Sequence, residues 1–488
     1  MKSPHPYLTL ASIVAIGFLQ NLQGSTVTNS SDSGPGSLRN AIASAVNGET
    51  INFAPALNGA TITLTSGHLL IDNLVVNIDA ASLPAGISLS GNALHRIFAI
   101  NGTSNVTLQS LKLINGKVIN ENGGGLYLAG GNLNMLDCTV RDCFATYNGG
   151  AIYFSVGVTS TIERSRISGN STGNLGFGGG IFVGGASTTL LRSCVIAGNS
   201  SPFGGGISTF NASPTLTNCT VQGNSGGGFR SDQNSDPAIR NCIVWGNSGT
   251  GNTASQQLIN LNGSNPGVSY SLIQGASDSA SFNDSNAVVW GTGNLNGSLV
   301  SNDPKFASAL AAGSAPHLGG DLRLLTGSPA LDQGNNLAEV GALDASKAAR
   351  IQNATVDLGA YEGSFVTFAL LYPSLASGAD ANRNGVSNFQ EYAMGFDPSA
   401  AGNLQVNPGI SFAGGFKFLT INQRINGVDF TPRLVTTTSF DVWAEMMEGV
   451  HYSVESTSSP TSQRKVLVLR LISADPKRFY RQGYATVN

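Results

Sequence analysis

The chain has 488 residues, more than one ordinary compact core supports, yet only 11% of them are charged, against about 25% in typical globular domains. With 62 glycines and 41% hydrophobic residues, the composition excludes a disordered polar chain and suits many short strands joined by tight turns. The net charge is −3 and no basic block occurs, which leaves no electrostatic footprint for a nucleic-acid partner.

Lys2 precedes an apolar run over residues 8–19. That run is too short to span a bilayer and reads as the core of a signal peptide, with processing near Gly24. No later stretch reaches transmembrane length, so a soluble chain outside the cell, acting as a monomer, is expected. Residues 26–53 read as a cap. Ser33-Gly34-Pro35-Gly36 makes a turn, residues 37–45 form a short amphipathic helix, and strands follow at 50–53, 61–64 and 74–78.

Self-similarity then takes over at a period of 22 to 29 residues. Asn218-Cys219-Thr220-Val221-Gln222-Gly223-Asn224 returns as Asn241-Cys242-Ile243-Val244-Trp245-Gly246-Asn247. It returns again at residues 193–199 and 164–170, with looser copies through Leu111, Cys138 and Ser271. A Gly-Gly-Gly motif at residues 123–125, 178–180, 204–206 and 226–228, and Gly149-Gly150-Ala151 between them, keeps the same step. Repeats of this length, each holding strands of about four residues, cannot bury an inner face alone and must stack into a solenoid. About seven such coils are recognisable. A leucine-rich repeat or a propeller blade needs a different frame.

In this reading Cys138, Cys194, Cys219 and Cys242 share a small inward column with Ser165 and Ser271, as packing residues rather than a disulfide framework. Gly-Asn closes each strand with a residue tolerant of positive φ. Cys143 falls at that turn and is expected to be the one accessible thiol. Glu163 and Arg192 occupy equivalent positions one coil apart and should form an ion pair, with Arg240 in the same column.

Past the repeat, residues 380–391 follow the pattern D-x-[DN]-x-[DN]-G-x₅-E. Asp380, Asn382, Asn384, Val386, Asn388 and Glu391 fall at ligand positions of a calcium loop. With two carboxylates, binding should be weak. Strand-like runs at 416–421, 442–446, 451–455 and 466–472 suggest a small antiparallel β-domain.

Two stretches carry a resemblance. Asp32-Ser33-Gly34-Pro35-Gly36-Ser37-Leu38-Arg39-Asn40-Ala41-Ile42, followed by Glu49-Thr50-Ile51-Asn52-Phe53, resembles the N-terminal cap of bacterial right-handed β-helix surface proteins of the pectate-lyase-like superfamily. Asp303-Pro304-Lys305-Phe306, Ser328-Pro329-Ala330-Leu331-Asp332 and Asp357-Leu358-Gly359-Ala360-Tyr361-Glu362 resemble the choice-of-anchor ending of such proteins. The calcium loop is similar to those of dockerin and thrombospondin type-3 repeats. The resemblance covers residues 25–362 and implies an extracellular right-handed parallel β-helix with an N-terminal helical cap; with the strand-like runs beyond it, the expected class is all-β, a β-helix followed by a small C-terminal antiparallel β-domain. The expected organisation is a signal peptide over 1–24, the β-helix over 25–365, a linker with the calcium loop over 366–402 and an accessory β-domain over 403–488. Activity does not carry over, because such proteins include both enzymes and adhesins.

Polysaccharide lyases and hydrolases on this fold need clustered carboxylates. The repeat offers few: Asp137, Arg141 and Asp142 at one turn, and Arg230, Asp232, Asp236 and Arg240 around a longer loop. The second set is the candidate site for catalysis. The leading expectation is a non-catalytic surface protein binding polysaccharide or a cell-surface glycan, with Tyr127, Tyr153, Phe182 and Trp245 as stacking residues, the first three fitting a core position equally well. The alternative is a polysaccharide-active enzyme.

Overall fold

The computed structural model describes residues 24–283, 287–338 and 340–363 in full, and seven strands between Gly409 and Thr486 by their backbone. The expected signal-peptide core, the linker and the calcium loop over 380–391 lie outside the described residues.

One coil shows how the repeat folds. Thr159–Glu163 runs in a first sheet with Ser160 and Ile162 facing in. Arg164 adopts φ 46° and turns the corner. Arg166–Ser168 runs in a second sheet, Gly169 turns again at φ 67°, and Asn170 follows, fully buried. After the short strand Ser171–Thr172 the chain passes Gly178-Gly179-Gly180 into Ile181–Val183 of a third sheet. Four residues then lead back to Thr188–Arg192 in the first sheet, directly beside Thr159–Glu163. Repetition gives parallel sheets of eleven, nine and eight strands.

The register carries no slip, so like positions stack. Ile78, Leu108, Met135, Ile162, Leu191, Leu216, Ile239 and Val268 form one inward column of the first sheet, each at most 1% exposed. Burying such side chains contributes about 1.5–3 kcal/mol apiece. Cys138, Cys194, Cys219 and Cys242 are buried and free, as expected of a packing column. The corner between the first and second sheets is one left-handed residue in each coil: Ser110, Asp137, Arg164, Ser193, Asn218, Asn241 and Tyr270, at φ 46–58°. The Gly-rich turn is required by close approach, since a Cβ on Gly179 would lie 2.4 Å from the Ser200 carbonyl oxygen.

The asparagines that close the second-sheet strands do more than turn the chain. It is the preceding glycine that adopts positive φ, while Asn170, Asn199, Asn224 and Asn247 point inward as a ladder. Each Nδ2 donates to the next Oδ1 at 2.9–3.0 Å, and Gln257 ends the series. Cys143 takes the ladder position one coil earlier. It is 1% exposed and its N–H donates to Asn170 Oδ1 at 3.0 Å, which corrects the expectation of an accessible thiol.

The helix Leu38–Ser44 closes the N-terminal end, with Ser37 Oγ accepting from the Asn40 N–H and Leu38, Ala41 and Ile42 buried. Asp32 ties this cap to the first coil. It accepts from Arg39 at 2.6 Å and from the N–H groups of Thr65 and Ser66 at 3.1 and 2.8 Å. Burial opposes its charge, but the bonds from Ser66, Arg39 and Thr65 outweigh burial and hold the carboxyl well below its usual range.

Residues 303–362 fold back along the outer face of the second sheet. Leu324, Ala330 and Leu358 pack on Ile243 and Leu272, and Leu322 and Ala360 on Val195 and Ala197. Polar bonds fix the register: Arg166 donates to the Leu318 carbonyl at 2.6 Å, Asn218 Nδ2 to that of Asp357 at 2.9 Å, and the Ala360 N–H to Thr220 Oγ1 at 2.9 Å. The outward side chains of Val195, Ala197, Ile243 and Leu272 are thereby removed from water. Further along the chain the strands pair antiparallel. Gly409–Ala413, Phe416–Arg424, Arg464–Leu471 and Tyr452–Thr461 form one sheet, and Ala444–Glu445, Phe430–Thr437 and Phe479–Thr486 another. Among the described residues no helix is long and apolar enough to cross a membrane.

Candidate functional site

The outward column of the third sheet is the most chemically distinct surface of the solenoid. It runs Leu70, Ala99, Tyr127, Tyr153, Phe182, Ser208, Arg230 and Ile259. Zero-slip register places successive side chains one strand spacing apart, about 4.8 Å. Tyr127, Tyr153 and Phe182 therefore stack with ring centroids 5.2 Å apart and planes within 3°. The Arg96 guanidinium lies 5.0 Å from the Tyr127 centroid. Toward the other end, Phe177 and Phe203 stack at 4.9 Å, and the Arg230 guanidinium sits 5.3 and 5.6 Å from their centroids. Tyr147, Phe203 and Phe210 are exposed in the strand ends and loops that border this face.

This geometry changes the role expected of the aromatics. The faces of Tyr127, Tyr153 and Phe182 are turned toward one another, so the stack presents ring edges and the two tyrosine hydroxyls to a ligand. Trp245 lies elsewhere, outward on the second sheet and half-buried against the folded-back segment.

The candidate catalytic set is not one cluster in a loop. Arg230 and Asp232 stand on the strand Phe229–Asp232 of the third sheet, two residues apart and facing the same way, with Arg230 Nη2 2.7 Å from Asp232 Oδ2. The second oxygen of Asp232 accepts from Asn262 Nδ2 at 2.6 Å. Asp236 lies in the following turn and accepts the Asn265 N–H at 2.7 Å. Arg240 projects from the first sheet and is exposed. The turn after Asp232 and the step from the third sheet to the first separate the members of this set.

The other coil charges are also paired. Glu163 Oε1 lies 3.1 Å from Arg192, as expected, and its second oxygen meets Arg164 at 3.1 Å. Arg164 Nε reaches Asp137 at 2.7 Å, and its hydrogen bond to Asp137 raises the guanidinium's affinity for its proton. Arg141 pairs with Asp142. Among the described residues, no three His, Cys, Asp or Glu side chains converge to hold a metal ion.

A buried ionic cluster in the folded-back segment escaped the sequence reading. Arg350, 1% exposed, donates to the carbonyls of Asp357, Gly359 and Ala360, and Glu362 lies 3.6 Å from its Nε. Asp357 accepts the N–H groups of Asp332 and Gly363, and Asp344 that of Glu362. Burial, with Asp357 adding its negative charge, raises the Glu362 carboxyl to about 7. Burial also raises Asp357 and makes the Arg350 guanidinium easier to deprotonate. The motif Asp357-Leu358-Gly359-Ala360-Tyr361-Glu362 was visible, but its partners Asp344 and Arg350 meet it only through the fold.

Residues 96–265 match the family model described as the right handed beta helix region. The solenoid is a right-handed parallel β-helix. No curated protein and no solved structure matches the chain. The matched span covers the stacked aromatics, the asparagine ladder and the Arg230–Asp232 pair of this β-helix.

Proposed function

We propose that this β-helix protein acts outside the cell as a monomeric, non-catalytic binder of extended polysaccharide, which lies along the outer face of the third sheet. The observation that carries the reading is the stripe from Tyr127 to Arg230. It spans five coils, about 19 Å at one strand spacing per step, and at constant pitch sets the half-buried Tyr127, Tyr153 and Arg230 on either side of the buried Phe182 and Ser208, with Arg96 buried against Tyr127. An extended polymer meets the two tyrosines at one coil spacing and the Arg230 guanidinium three coils further on, so that several weak bonds act along one chain. Arg230 and Asp232 neutralise each other at the end of this stripe, and both Asp232 oxygens are engaged. That commits the carboxylate to organising the face. Weak calcium binding by Asp380, Asn382, Asn384, Val386, Asn388 and Glu391 fits a spacer between the β-helix and the C-terminal strands in a calcium-containing medium.

The test is migration of residues 25–488 through gels containing plant, algal or bacterial polysaccharides. Retardation by at least one polymer, relieved in a Tyr127→Ala/Tyr153→Ala protein, is the expected result. Retardation by none overturns the reading. A second reading, a polysaccharide-active enzyme, is favoured by the outward placement of Arg230 and Asp232 on one strand. Release of new reducing ends that disappears in Asp232→Ala would establish it instead.

A further inference from the structure

A separate cavity of about 430 Å³ opens beside Trp245, where the second sheet meets the start of the folded-back segment. This lies at the small end of ligand pockets, which run roughly 300–1,000 Å³. One wall is apolar, formed by the half-buried indole of Trp245 with Leu299. The rest is polar, with Thr253, Gln274 and Asp303 among the lining residues.

Gln274 and Asp303 are each fixed by one hydrogen bond and keep free valences, with Asp303 and Thr253 exposed at the rim. Gln274 follows Trp245 in the next coil, and its Oε1 accepts the Gly246 N–H at 2.8 Å. That bond fixes the amide and leaves Nε2 as a donor with no partner among the described residues. Asp303 Oδ1 accepts the Lys305 N–H at 2.8 Å, which leaves Oδ2 to accept from a ligand. The Thr253 hydroxyl is likewise unpartnered among the described residues and serves as donor or acceptor. No Lys or Arg lines the cavity.

We propose that this cavity binds a single neutral pyranose ring. A pyranose has an apolar C–H face and a rim of hydroxyls, and here an indole lines one cavity together with an oriented amide donor, a carboxylate acceptor and a hydroxyl. Indole supplies the large apolar surface. The amide and carboxylate together take both ends of a vicinal diol, and the charged hydrogen bond is the stronger of the two. A uronate is disfavoured, because its carboxylate would enter beside Asp303 with no cation to offset the repulsion. This site is independent of the third-sheet face: it seats one sugar unit rather than a polymer.

The experiment follows indole emission in a Trp290→Phe/Trp443→Phe protein, which leaves Trp245 as the sole tryptophan of the chain's three. The probes are methyl glucoside, methyl galactoside, methyl mannoside and N-acetylglucosamine, with galacturonic acid as the anionic comparison. At least one neutral sugar should shift the emission saturably. Binding should weaken about tenfold or more in each of Gln274→Ala and Asp303→Asn, the scale of one lost hydrogen bond to a charged or oriented group. Asp303→Asn, which keeps an acceptor for the Lys305 N–H, should keep the parent's urea midpoint, while Gln274→Ala also releases the Gly246 N–H and should lower it modestly without loss of the folded baseline. No saturable shift with any neutral sugar, a shift unchanged in both variants, or an equal response to galacturonic acid would each overturn the proposal.

Discussion

Replacing Asn199 with alanine interrupts the asparagine ladder at its centre. Asn199 Oδ1 accepts both the backbone N–H and the Nδ2 of Asn170, at 3.1 and 2.9 Å, while its Nδ2 donates to Asn224 Oδ1 and the Ile167 carbonyl, each at 3.0 Å. All three asparagines are 0% exposed, so water cannot replace what is lost. An orphaned buried N–H costs about 1–3 kcal/mol and each of the two lost amide–amide bonds about 0.5–1.5 kcal/mol, giving about 2–6 kcal/mol in total. Asn199→Cys should cost less, because Cys143 shows that a thiol occupies the same position with its sulfur accepting the Gly116 N–H at 3.4 Å. The assay is the urea midpoint together with hydrogen exchange of the Asn170 amide, since a long repeat array need not unfold in two states. If that amide exchanges no faster in Asn199→Ala than in the parent, the reasoning is wrong.

Three further outcomes are expected. Glu362 has a folded pKa of about 7, above its ordinary 4.5. Its contribution to docking of residues 303–362 is therefore complete below about pH 4.5 and is lost as pH rises through about 7. Hydrogen exchange over 357–360, corrected for intrinsic rate, should increase across that window and lose its pH dependence in Glu362→Gln; flat protection in the parent would contradict it. Burial pushes Cys138 and Cys143 up to about 12, so neither thiol should react with a thiolate-selective reagent until the chain unfolds, and rapid native labelling of Cys143 would refute its placement in the ladder. Tyr153→Ala removes two ring stacks and should cost about 1–3 kcal/mol of coil stability; an unchanged urea midpoint would show that the stack is incidental.

The columns were legible because a stacked parallel solenoid turns sequence period directly into spatial neighbours. Cys194, Cys219 and Cys242 could be placed inside, and Glu163 beside Arg192, from their spacing. The cap helix was legible for a local reason, the Ser37 cap and the apolar positions Leu38, Ala41 and Ile42. Cys143 was misplaced because a Gly-Asn pair fits an exposed turn as well as an inward ladder. Only the depth of the side chain distinguishes these, and depth depends on which way the coil closes. Arg230 and Asp232 were read as loop residues because the polar run after Phe229 hides a four-residue strand whose pairing comes from the coils on either side.

By itself the sequence determined the solenoid, the inward column of Cys194, Cys219 and Cys242, and the Glu163–Arg192 pair, since each follows from repetition at nearly constant period. Tertiary structure decided how residues 303–362 are used. Their contacts with Val195, Thr220, Asn241 and Ile243 join residues that lie 81 to 165 positions apart in the chain, and no local pattern encodes them. It also decided which outer face stays open. The apolar patch of Val195, Ala197, Ile243 and Leu272 on the second sheet is covered by the chain's own return, while Tyr127 and Tyr153 on the third stay half-buried beside the buried Phe182, because burial rewards covering aliphatic side chains and stacked rings already shield one another's faces.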